Sequence, residues 1–142
     1  MTNSGVDAPV DQVITPYDKI ECFIVEKGLS LSIPNFYILA LDYEIDPAFA
    51  LATWILETGW GKDEGWQTRN NPGGIKCGET YCAFASKDEG LAMMFYTLHQ
   101  YTHGLISWIG TKTTISEIRN TWNPASDDST QIYQLMKEII KS

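Results

Sequence analysis

The chain has 142 residues, 44% of them apolar and 12% aromatic, and ten Lys and Arg stand against eighteen Asp and Glu for a net charge of −8. That size and apolar content suit one domain around one core and exclude a disordered tail or a coiled coil. The acidic balance argues against nucleic acid as a partner, and no run approaches the eighteen or so apolar residues of a membrane span.

Residues 1–15 carry Asp7 and Asp11, no basic residue before Lys19 and no apolar stretch of the kind a secretory signal needs, so they read as a flexible arm before one domain at 16–142. Thr15-Pro16-Tyr17-Asp18 opens a helix that buries Ile20, Phe23 and Ile24 and stops at Gly28, with Cys22 as a small core residue. A second helix is expected from Pro34 to about Tyr43. A third, nearly all apolar and therefore buried, runs from Asp46-Pro47 to Thr58 and ends at Gly59. The Gly- and Trp-rich stretch from Gly59 to Ala85 carries one regular feature, a hairpin around Lys76-Cys77-Gly78-Glu79-Thr80-Tyr81-Cys82. Its cysteines are either bridged across the hairpin or two free thiols.

Three more helices follow. Ser86-Lys87-Asp88-Glu89 opens a long one through Leu98 to Leu105, Thr114-Ile115-Ser116-Glu117 opens the next, and Asp128 starts the last, which buries Ile132, Met136 and Ile139. Mostly helical, with a small β excursion between two central helices, the chain is expected to be an α+β domain of two lobes with a cleft between them.

The chemistry concentrates at the end of the third helix. Glu57 lies in its last turn, where exposed carbonyls disfavour an ionised carboxylate, and Trp54, Trp60 and Trp66 are near in sequence. An apolar wall and a helix C-terminus would keep the carboxyl protonated for general-acid work, and aromatic rings suit the flat faces of sugars. The same residues also read as an exposed glutamate beside core tryptophans. His99 and His103, four apart on one helix, lack the intervening glutamate of a zinc protease and a third ligand. No metal and no cofactor are expected.

Glu57-Thr58-Gly59-Trp60-Gly61, then Asn70-Asn71-Pro72-Gly73-Gly74-Ile75-Lys76, then Phe84-Ala85-Ser86 with Glu89-Gly90, closely resemble the glucosaminidase family of peptidoglycan hydrolases, glycoside hydrolase family 73. The resemblance covers Ala48 to about Tyr101, with a weaker echo in Trp122-Asn123-Pro124 and Ile132-Tyr133. It implies a lysozyme-like fold and cleavage of the β-1,4 bond between N-acetylglucosamine and N-acetylmuramic acid in bacterial wall glycan. Glu57 matches the general acid, Asn71, Gly74 and Ile75 the loop along the cleft floor, and Tyr133 a tyrosine near the reacting sugar. Trp60, Trp66 and Tyr81 are expected to bind sugar. The family often has an aromatic residue where this chain has Gly73, and the hairpin here is short.

A second carboxylate is harder to place. Glu79, near the hairpin tip, is the best match; Asp63 and Glu64 read as solvated loop residues, and Asp88 and Glu89 as first-turn helix acids. The rival is attack by the sugar's own N-acetyl oxygen, assisted by Tyr133. A lytic transglycosylase or muramidase using the same Glu57, and a non-catalytic wall-binding or phage structural module, are the alternative functions. The expected partner is bacterial peptidoglycan, met at the cell wall by a secreted or phage-borne protein acting as a monomer or as a module of a larger one.

Overall fold

At the centre of the molecule is its most apolar helix, α3 (Pro47–Thr58), in which every residue from Pro47 to Ile55 is buried. Its ends are set locally: Asp46 accepts the Ala48 N–H at the N-terminus, and Gly59 closes the C-terminus in the left-handed region. The computed structural model describes residues 5–142, and around α3 it arranges α1 (Tyr17–Lys27), α2 (Ile33–Tyr43), α4 (Glu64–Arg69), α5 (Lys87–Thr102), α6 (Ile115–Trp122) and α7 (Ser129–Lys141). The amphipathic α7 lays Ile132, Met136 and Ile139 on the core, while Phe36 of α2 meets Phe95 of α5 edge to face at 5.1 Å.

The β component is a two-residue antiparallel ladder, β1 (Lys76–Cys77) with β2 (Thr80–Tyr81), pairing Lys76 with Tyr81 and Cys77 with Thr80. A disulfide joins Cys77 to Cys82. The fold is therefore the mostly helical α+β arrangement with one small hairpin that the sequence implies.

Three expectations need correction. A sixth of the way into the irregular stretch the chain forms α4, whose six residues are too few for periodicity to reveal. The arm is not loose from Gly5 onward: Val10 is fully buried, its N–H donates to Thr113 O, its carbonyl accepts from Asp46 N, and Pro9 bridges Thr114. Residues 1–4 of that arm lie outside the described residues. Cys22 faces solvent rather than the core, because α1 buries the neighbouring stripe of Ile20, Phe23 and Ile24.

Candidate active site

Three consecutive left-handed residues, Gly59, Trp60 and Gly61 (φ 55°, 61° and 80°), turn the chain sharply at the end of α3. Thr58 secures the turn: its hydroxyl donates to Trp54 O at 2.6 Å and accepts from Gly61 N at 2.9 Å. Gly61 has a second reason to be glycine, since a methyl there would stand 2.9 Å from the Trp54 ring. The turn leaves Glu57 on the last exposed edge of a buried helix, its side chain only 18% accessible.

Burial is the main reason that the Glu57 carboxyl is pushed above the ordinary glutamate range. A positive neighbour opposes this shift, because Arg119 Nη2 lies 3.3 Å from Glu57 Oε1, and the Trp122 indole also favours the charged form. Arg119 is itself committed elsewhere. Its Nε donates to Asp128 Oδ1 at 2.9 Å and its Nη2 to Asp128 Oδ2 at 2.6 Å, a two-point pairing inside the protein. Asp128 thus offsets the arginine's charge and adds a negative field of its own, and Glu57 stays proton-loving. The same pair docks α6 against the start of α7, and so Asp128 does not cap α7 with its side chain.

The facing wall is built around Asn71. Its amide nitrogen donates to Ile75 O and Cys82 O at 2.8 and 3.1 Å, and its oxygen accepts from Gly73 N and Ile75 N at 3.2 and 3.0 Å. Those four bonds use the whole capacity of the side chain. Asn71 therefore shapes the loop, and it stands in the cavity wall with its polar atoms turned to the backbone. Behind the loop, Gly90 of α5 packs so closely on Asn70 O that a methyl at position 90 would fall well inside van der Waals contact.

Glu57, Asp63, Arg69, Gly73, Gly74 and Tyr81 surround a cavity of about 250 Å³. Gly73 and Gly74 also floor an adjoining cavity of about 220 Å³ walled by Ile75, Thr97, Tyr101 and Trp122, which extends the first into a groove. The Trp122 ring lies directly over Gly73, where no Cβ would fit. The aromatic mass that Gly73 lacks is supplied here from α6.

Of the expected residues, Glu57, Asn71, Gly74 and Tyr81 share one cavity, and Ile75 lines its extension. Others are elsewhere. Trp66 is core, 2% exposed and edge-on to Trp54, and Trp60 stacks on Phe23 beside a separate pocket with Gly28 and Lys62. Tyr133 does not line the Glu57 cavity; it packs half-buried on the flank of α7 with the Lys137 ammonium over its ring. Glu79 is exposed at the hairpin tip and is likewise absent from that wall.

Asp63 instead is the second carboxylate on the cavity wall, fixed by accepting the Gly65 N–H as the N-cap of α4. Asp63 and Glu64 are both exposed, as expected, but they form a helix start rather than a loop. Sequence reasoning also passed over Arg119, Asp128 and Arg69. Arg119 within α6 and Asp128 just before α7, nine residues apart, gave no local sign that they would meet inside the protein.

Compared with known families, residues 33–137 match the model of the family described as Glucosaminidase: Mannosyl-glycoprotein endo-beta-N-acetylglucosaminidase, which is well over half of the chain. No curated protein matches.

Proposed function

The chain belongs to the glucosaminidase family of glycoside hydrolases, and from that premise we propose that it cleaves the β-1,4 bond between N-acetylglucosamine and N-acetylmuramic acid in peptidoglycan. The observation that carries this reading is Glu57, a carboxyl biased toward its protonated form and set on the wall of an open groove.

In this reading the Glu57 proton passes to the glycosidic oxygen as the C1–O bond breaks and positive charge develops on the sugar ring. Asp63 faces the same space and takes a proton from the water that attacks C1. Trp122 and Tyr81 supply aromatic faces at two ends of the groove. Arg119 and Asp128 position Glu57 and set its proton affinity without touching substrate. The protein acts at the bacterial wall, reached by secretion or on a phage particle, as a monomer or as a module of a larger wall-lytic protein. Among the described residues, no helix is long and apolar enough to cross a membrane.

Digestion of purified peptidoglycan, followed by mass spectrometry of the reduced products, tests the bond. Reducing N-acetylglucosamine ends are the expected outcome. Reducing N-acetylmuramic acid or anhydro ends would assign a muramidase or a lytic transglycosylase, and no release at all would favour a binding module.

A further inference from the structure

One arginine, Arg119, pairs with Glu57 and another, Arg69, lines the same cavity, and they are provided for very differently. Arg119 is paired with Asp128 and Glu57 through its Nε and Nη2, with only Nη1 left over, whereas the guanidinium of Arg69 makes no hydrogen bond and no ion pair with any described residue. Arg69 Nε is buried and unpartnered, yet the side chain lines the Glu57 cavity. The two Nη groups are not enclosed as Nε is, and they are the donors that a ligand in the cavity can meet.

The guanidinium is also held in place. The Tyr81 ring lies 5.7 Å from its central carbon, and the last residue of α4 supplies its backbone anchor. Gly65 separates it from Asp63: a methyl on Gly65 would stand 3.1 Å from both Arg69 Nη2 and Asp63 Oδ2, but the two side chains do not pair. The forked donors therefore remain available to a carboxylate. In a chain of net charge −8, an acidic ligand needs such a local cation to enter.

We propose that Arg69 binds a carboxylate on the muramyl side arm of the substrate and so selects muramyl-containing glycan over neutral N-acetylglucosamine polymers. The proposal rests on the peptidoglycan reading above and adds the group that is recognised. Two sources offer the same chemistry: the lactyl carboxylate of peptide-free strands, and a carboxylate of the stem peptide where the lactyl group is amidated.

The test measures binding without turnover, in the 142-residue chain carrying Glu57→Gln. The probes are chitotetraose, a peptide-free tetrasaccharide of alternating N-acetylglucosamine and N-acetylmuramic acid, and the same tetrasaccharide bearing stem peptides. Adding Arg69→Gln is expected to weaken a muramyl probe at least about tenfold, to change chitotetraose less than twofold, and to flatten the salt dependence of muramyl binding. Arg69→Lys should recover part of the loss. A loss confined to the peptide-free probe assigns the lactyl carboxylate, and one confined to the peptide-bearing probe assigns the stem. Equal weakening of all three probes, no weakening of any, or binding of none before Arg69 is changed overturns the proposal. Products of the wrong bond in the digestion experiment would overturn the functional reading alone, because this preference is measured without cleavage.

Discussion

Arg119 Nη2 stands 3.3 Å from Glu57 Oε1 and 2.6 Å from Asp128 Oδ2, so the cation nearest the candidate acid is bound more closely by another carboxylate. An arginine shared unequally in this way orients Glu57 without holding it ionised. Burial then decides the direction, and the carboxyl keeps its proton to higher pH than a free glutamate.

Glu57→Gln tests the acid directly. Gln keeps the volume and an acceptor for Arg119 but has no proton to give, and wall-lytic activity should fall at least about 100-fold. The raised proton affinity also carries a stability sign. A carboxyl whose folded pKa lies above its unfolded value contributes stability that is complete in acid and is lost as pH rises through the folded pKa. Thermal melting at neutral pH should therefore find the variant at least as stable as the wild type, with this relative advantage disappearing in acid. Near-normal lysis would remove the assignment.

Asp128→Asn should alter Glu57 from a distance. Removing the negative charge lowers the proton affinity of Glu57 and leaves Arg119 to pair with it more strongly. General-acid activity requires the protonated form, so the alkaline limb of the kcat/KM profile should move to lower pH. Breaking the buried pair should also cost about 3–5 kcal/mol in a denaturant melt. An unchanged alkaline limb in a folded variant would mean that Asp128 does not tune the acid.

Asp63→Asn and Glu79→Gln separate the two candidate second carboxylates. Asn caps a helix about as well as Asp, so Asp63→Asn should leave melting nearly unchanged and lower kcat at least about tenfold. Glu79 is exposed at the hairpin tip, and Glu79→Gln should retain most of the rate. The reverse ranking would return the base to the hairpin. Retained activity in both variants would favour attack by the substrate's N-acetyl group, and Tyr133→Phe would then show whether Tyr133 assists it from the flank of α7.

Gly90→Ala probes the fit of α5 beneath the loop. The added methyl meets backbone oxygen at Asn70 rather than a flexible side chain, so the loop that carries Asn71 and the glycine floor must shift. A loss of roughly 1–3 kcal/mol is expected, the range for overpacking, together with a lower kcat. Wild-type melting and rate would show that the helix and loop separate freely.

The sequence by itself determined the elements whose rules are local. Asp46-Pro47 and Gly59 bound α3, Thr114 and Glu117 close a capping box on α6, and the motif around Glu57 marks both the helix end and the family. Each of these depends on neighbours within a few positions, where backbone hydrogen bonding leaves few choices. The electrostatics of the site were decided only in three dimensions. Arg119 meets Glu57 across 62 positions because α7 packs on α3 and α6 packs on α7, and Trp122, at the end of α6, reaches Gly73. The tryptophans near Glu57 in the sequence were drawn instead into the core or onto Phe23. Burial of a charge and the choice of its partner are properties of the surfaces brought together, and no local spacing in the chain encodes which surfaces those will be.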